Sequence, residues 1–132
     1  PGEAPAAMAE LADRLSAADA FVFVAGEYNR GMQPGLKNLV DHYLKEFDRR
    51  PAAIACYSAG RFAGVNSHAD WTVTLSAMGM AVVPERLSVG QIGQALNEAA
   101  EPQGDGGAAL ERGFAGFAHN LIWWAQAVKA AR

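Results

Sequence analysis

The chain has 132 residues, 51% hydrophobic and 19% charged, a balance that suits one folded domain over residues 1–132 with a real core and argues against disorder. Its formal net charge is -3 and its longest cationic run is Arg49-Arg50, so nucleic acid is excluded as a partner and a small molecule is expected. One cysteine, Cys56, allows no internal disulfide, and no apolar stretch approaches the roughly 20 residues of a membrane helix.

Residues 5 to 17 carry Met8, Leu11, Ala12 and Leu15 at helical spacing, with Glu10, Asp13 and Arg14 opposite, which predicts an amphipathic helix. Phe21 to Ala25 is an unbroken apolar run of Phe, Val and Ala, the pattern of a parallel strand covered on both faces. A helix is expected to start near Pro34, since proline suits a first turn, and to place Leu36, Leu39, Val40, Tyr43, Leu44 and Phe47 on one face. Ala53 to Tyr57 predicts a second buried strand, with Cys56 a packed, reduced thiol, and Ser58 to Gly64 a small-residue loop at its carboxyl end. Residues 66 to 78 suit a helix with Trp71, Leu75 and Met78 inward, and Met80 to Pro84 a third strand.

Beyond it, Glu85 to Gly93 reads as irregular, Gln91 to Ala100 holds a short helix, and Pro102 to Gly107 has the residues of a surface loop. A last helix near 107 to 131 aligns Leu110, Phe114, Phe117, Leu121, Ala125 and Val128 to cover the open face of the sheet. Strands alternating with helices predict a doubly wound α/β sheet with right-handed crossovers. In such sheets ligands sit at the carboxyl ends of the strands, which draws attention to Glu27-Tyr28-Asn29 and to Ser58-Ala59-Gly60-Arg61. Hydrogen-bonding groups and one aromatic face there suit a flat polar heterocycle.

Gly26-Glu27-Tyr28-Asn29 followed by Pro34-Gly35-Leu36-Lys37-Asn38-Leu39-Val40-Asp41 resembles the Pro-Glu-Tyr-Asn…Pro-x-x-Leu-Lys-Asn-x-Ile-Asp signature of the NADPH-dependent FMN reductase family. These are flavodoxin-like flavoenzymes that include quinone, chromate and azo-dye reductases. Ser58 to Gly64 is similar to the family's second flavin loop, Ser-x-Gly-x-x-Gly-Gly, with Ala63 in place of a glycine and Gly26 in place of the usual proline of the first. The resemblance implies a flavodoxin-like, three-layer α/β/α fold with FMN held by Glu27, Tyr28, Asn29, Ser58, Ala59, Gly60 and Arg61. It further implies hydride transfer from NADPH or NADH through FMN to a quinone, flavin, azo or similar acceptor, in a homodimer or homotetramer. The cofactor would carry that chemistry, so no catalytic side chain is expected. The resemblance covers nearly the whole chain, from about Asp19 to Arg132. The family's first strand, phosphate loop, first helix and second strand have no counterpart, so the chain reads as a fragment whose run Phe21 to Ala25 becomes an edge.

The competing expectation is a non-catalytic flavodoxin-like fragment or interaction module without flavin, because a phosphate loop supplies much of the affinity for FMN. Lys37 and Asn38 are expected to lie on the surface and to tie down the first loop, respectively. Asp41, His42 and Glu46 fall opposite the apolar stripe and are expected to be solvated, and neither they nor His68 and Asp70 have metal-ligand spacing. Serine-hydrolase chemistry lacks its G-x-S-x-G elbow. Trp123 and Trp124 flank the core stripe of the last helix, so one is expected to be exposed at a subunit contact. The opening Pro1-Gly2-Glu3-Ala4-Pro5 lacks the features of a secretory signal, which with a reduced cysteine points to the cytoplasm.

Overall fold

Strand alternation sends Phe21, Phe23 and Ala25 to one face of the sheet and Val22 and Val24 to the other, and the two faces are covered unequally. In the computed structural model, which describes residues 5–132, the elements run α1 (Ala6–Ala17), β1 (Phe21–Tyr28), β2 (Gly31–Met32), α2 (Pro34–Val40) and β3 (Pro51–Tyr57). They continue as α3 (Val65–Ala77), β4 (Ala81–Val89), α4 (Ile92–Ala95) and α5 (Gly104–Ala131). Residues 1–4, most of the Pro/Gly-rich opening, lie outside the described residues. The sheet order is β2-β1-β3-β4, with β1, β3 and β4 parallel and β2 a short antiparallel addition to the end of β1.

On one face α1 and α3 pack over Phe23, Ala25, Ile54 and Cys56, together with Val40, Tyr43 and Phe47 from the segment between β2 and β3. Phe21, Phe23, Phe47 and Trp71 form a continuous aromatic cluster with ring centroids 5.0 to 6.3 Å apart. On the other face α5 lays Phe117, Leu121 and Trp124 over Ala53, Ala55, Val83 and Leu87, completing the α/β/α layers. That cover is partial, which corrects the expectation that the last helix closes the face. Above β1 it leaves an apolar cleft of about 370 Å³ walled by Val22, Val24, Leu110 and Phe114. Val24 is 60% exposed and Phe114 56%. From Phe21 to Gly26, β1 pairs with β3 on one side and with no strand among the described residues on the other. The expected edge is therefore present.

Several boundaries differ from the sequence reading. The helix expected from Pro34 through Phe47 is α-helical only to Val40, and turns then carry Tyr43 and Phe47 into the core. Glu46, expected to be solvated, is buried, and its carboxylate accepts the Leu44 N–H at 3.2 Å. β4 continues to Val89 instead of ending at Pro84. The extra residues at Val83-Pro84-Glu85 form an irregularity in the ladder, where a proline without an N–H is tolerated on an edge strand. The last helix begins at Gly104, inside the stretch read as a loop.

Two cationic ties fix helix ends to the sheet. Arg50 donates from Nε to the Ala18 carbonyl at 2.8 Å and from Nη2 to the Ser16 carbonyl at 2.7 Å, capping the last turn of α1 from a distance in sequence. Arg50→Met is expected to cost about 2 kcal/mol. Thermal unfolding of this variant beside Arg49→Met, whose side chain is exposed and pairs with neighbouring Asp48, checks that difference. Asp19, two residues before β1, receives Lys129 at 2.6 Å and Arg132 at 2.8 Å from the end of α5, and the Lys129 hydrogen bond, aided by both positive charges, holds its carboxyl below the usual range.

Candidate functional site

Glu27 and Tyr28, read from sequence as loop residues, are the last two residues of β1, and β2 folds back on them with Glu27 opposite Met32 and Tyr28 opposite Gly31. The connecting pair Asn29 and Arg30 has φ of 48° and 66°, the left-handed geometry of a type I′ hairpin turn that matches strand twist. The first site segment is thus a short rigid arm at the carboxyl end of the sheet, with Tyr28, Asn29 and Arg30 exposed.

The Glu27 side chain turns inward, to α3. That helix follows Gly64, which gives it no side-chain cap, and it has no acid in its first turn. Glu27 supplies both from another strand. Its carboxylate accepts the Asn66 N–H at 2.9 Å, the Ser67 N–H at 3.4 Å and the Asn66 side-chain amide at 3.3 Å, placing negative charge at the positive end of the helix. Burial raises its pKa, but the Asn66 and Ser67 hydrogen bonds and the Arg30 charge outweigh it and hold the carboxyl below the ordinary value. A depressed carboxyl pKa gives stability that is present above the unfolded pKa and lost as pH falls through the folded one. The tie is therefore expected to hold at neutral pH and to be lost only as the pH falls beneath the ordinary carboxylate range. Acid titration should show a smaller loss in Glu27→Gln than in the parent. Gly26 is locked as well: its N–H donates to Gln33 Oε1 and its carbonyl accepts the Ser67 hydroxyl, both at 3.2 Å.

The second segment leaves β3, whose register sets Tyr57 beside Gly26, so both segments emerge from adjacent strands at the same end. Here the exit of β4 acts as a clamp. The Ser58 N–H donates to the Val89 carbonyl, the Ile92 N–H to the Ser58 carbonyl and the Gln91 N–H to the Gly60 carbonyl, at 3.0 to 3.1 Å. Ser58 Oγ donates to the Gly60 carbonyl at 2.8 Å. The Ser58 and Gly60 carbonyls are thus occupied, while the N–H groups of Ala59, Gly60 and Arg61 have no acceptor among the described residues. Gly90 packs so closely that a Cβ there would lie 2.8 Å from the Arg61 carbonyl oxygen. Arg61 stacks its guanidinium over the exposed Phe62 ring, 4.8 Å from the centroid.

Ala63, in place of the family's glycine, has φ of 55°, and Gly64 follows at 76°. A left-handed alanine is strained, which accounts for the glycine in the family pattern. Ala63→Gly is expected to stabilise the chain by about 1 kcal/mol in urea unfolding.

Lys37 lies on the surface, paired with Asp41 at 2.6 Å. Asn38 does not tie down the first segment, because it is exposed and makes no side-chain hydrogen bond among the described residues; Gln33 has that role. Cys56 is buried, and burial pushes its thiol up to about 11, so it is a protonated core residue at neutral pH. Burial, then the Arg86 charge, hold His68 below its usual range. Trp123 is exposed and stacks edge-on to the half-buried Trp124. No helix among the described residues is long and apolar enough to cross a membrane.

A profile of the NADPH-dependent FMN reductase family matches residues 1–94. The chain belongs to this family. FMN and NAD(P)H are the cofactors of the NADPH-dependent FMN reductases. An NAD(P)H-dependent FMN reductase of Pseudomonas aeruginosa is 40% identical over 62 residues, which are 44% of this chain and 34% of that protein. An oxidoreductase of Corynebacterium diphtheriae has the same fold, with a TM-score of 0.75 at 18% identity over 93% of this chain and 64% of its own. FerB, a flavoenzyme NAD(P)H:(acceptor) oxidoreductase of Paracoccus denitrificans, superposes with a TM-score of 0.72 at 21% identity, covering 97% of this chain and 70% of its own. The flavodoxin-like fold expected of an FMN reductase is the fold observed. Beyond the residues singled out from sequence, the geometry adds Gln33, Asn66, Ser67, Gly90 and Gln91 as supports of the two segments. Gly90 alone left a sequence signal, as a glycine after an apolar residue, and the mixed Glu85–Gly93 stretch obscured it.

Proposed function

We propose that the chain forms the flavin-ring portion of an FMN-dependent NAD(P)H oxidoreductase that passes hydride equivalents from NADPH or NADH to a quinone, flavin, azo or similar small acceptor. The observation that carries this reading is the clamped, exposed loop Ser58-Ala59-Gly60-Arg61, which leaves the N–H groups of Ala59, Gly60 and Arg61 without an acceptor among the described residues and keeps its Ser58 and Gly60 carbonyls occupied. Three successive N–H donors without a protein acceptor suit the carbonyl-rich pyrimidine side of an isoalloxazine ring, and nothing lies within 4 Å of a Cβ built at Gly60, so the approach is open.

When bound, the flavin supplies hydride acceptance and release, which no side chain of this set performs. The N–H groups of Ala59, Gly60 and Arg61 orient the ring and favour negative charge on its carbonyl edge. Arg61 adds a positive charge beside them. Glu27 fixes the first segment relative to the start of α3, so that Tyr28 and Asn29 present an aromatic face and an amide at constant height. In this reading the protein works in the cytoplasm as a homodimer or homotetramer, with Trp123 near a subunit contact.

The uncovered β1 edge and its apolar cleft favour a second reading, a flavin-free interaction module. An absorbance spectrum from about 300 to 550 nm, after adding FMN and then NADPH without oxygen, separates the two. Retained flavin bands that bleach with NADPH support the reductase. No retained flavin and no NADPH oxidation support the module.

A further inference from the structure

The family motif carries proline where this chain has Gly26, and the structure gives the glycine a reason. Gly26 and Tyr57 are register partners on the face of the sheet that bears the cleft. A Cβ at Gly26 would stand 3.1 Å from both Cζ and Oη of Tyr57, so the ring occupies the space that any larger residue at position 26 would need. The phenol end therefore lies across the last part of β1, in the seam between Glu27-Tyr28-Asn29 and Ser58-Ala59-Gly60-Arg61. Ser67 closes the same seam from the opposite face by its bond to the Gly26 carbonyl.

The Tyr57 ring is half-buried against apolar neighbours, and its hydroxyl has no partner among the described residues. By contrast, the buried Tyr43 hydroxyl donates to the Met8 carbonyl at 3.1 Å. A tyrosine whose ring is placed by packing while its hydroxyl is left free, at the meeting point of two ligand segments, is suited to contact what binds there.

We propose that Tyr57 is a further flavin-contacting residue: its ring forms the floor between the two segments, its hydroxyl hydrogen-bonds bound FMN, and Gly26 is the small residue that admits it. This rests on the flavin reading above. The test is FMN titration, followed by flavin fluorescence, of the unaltered protein, Tyr57→Phe and Gly26→Ala, with thermal midpoints measured without flavin.

Tyr57→Phe keeps the ring and removes only a hydroxyl without a protein partner. It is expected to leave the midpoint unchanged and to weaken FMN about five-fold. Gly26→Ala is expected to weaken FMN at least as much by displacing the ring. If the unaltered protein binds FMN and Tyr57→Phe binds it equally well, Tyr57 is a packing residue and the inference fails alone. A fall of several degrees in the Tyr57→Phe midpoint would also overturn it, by giving the hydroxyl a structural role. If the unaltered protein binds no FMN, the flavin reading and this inference fall together.

Discussion

Trp71→Ala is expected to cost about 3–5 kcal/mol, the largest loss from any single side chain in this fold. Trp71 is fully buried on α3 and stacks on Phe23 of β1, with centroids 5.7 Å apart and planes 27° apart. Phe21 and Phe47 extend the same cluster, so no neighbour can collapse into the space without breaking another ring contact. Against a total stability of about 5–15 kcal/mol for an ordinary domain, a loss of this size leaves little folded margin. The indole also carries a buried N–H without an acceptor among the described residues. Removing an unpaired buried donor offsets part of the lost packing, so Trp71→Phe is expected to cost only about 1–2 kcal/mol. Urea unfolding followed by far-ultraviolet circular dichroism checks both variants without relying on the tryptophan removed. Equal costs for alanine and phenylalanine would show that ring volume does not dominate the site.

Gly90→Ala is expected to weaken FMN binding by at least about ten-fold while leaving most of the fold intact. Gly90 lies behind the donor loop, where an added Cβ would meet the backbone of Arg61 at 2.8 Å and of Gly60 at 3.3 Å. Backbone atoms cannot swing aside as a flexible side chain can, so the loop has to shift and carry its N–H groups out of line. Gly93→Ala is the control, because nothing lies within 4 Å of a Cβ there and alanine favours the α4 helix. Isothermal titration of FMN into both variants decides the matter. A Gly90→Ala variant that binds like Gly93→Ala would remove the clamped loop from the flavin site.

The sequence carried the α/β alternation because buried parallel strands and amphipathic helices leave strong local patterns. Phe21 to Ala25 and Ala53 to Tyr57 are nearly continuous apolar runs, and Met8, Leu11 and Leu15 repeat at helical spacing. The family signature was legible for the same reason: Glu27-Tyr28-Asn29 and Pro34 to Asp41 are contiguous segments, and Glu27-Tyr28 and Tyr57-Ser58 stand at strand ends. Where the reading failed, tertiary contacts had overruled local preference. Pro84 and the charges of Glu85 and Arg86 argue for an end to β4, yet pairing of Ile54 with Arg86 and Tyr57 with Val89 extends it. The ladder rewards each added pair, whatever the local propensity.

By itself the sequence determined the α/β alternation and the residue types that stand at the carboxyl ends of the strands, since these depend on periodicity and on groups adjacent in the chain. Only the tertiary structure decided what those groups are free to do. It turned the Glu27 carboxylate onto the N–H groups of Asn66 and Ser67, gave the Gly60 carbonyl to Gln91 and Ser58, and laid Tyr57 over Gly26. The physical reason is that a hydrogen-bonding group is available to a ligand only after every closer partner has been counted, and most of those partners, such as Asn66 for Glu27 and Gln91 for Gly60, lie far away along the chain.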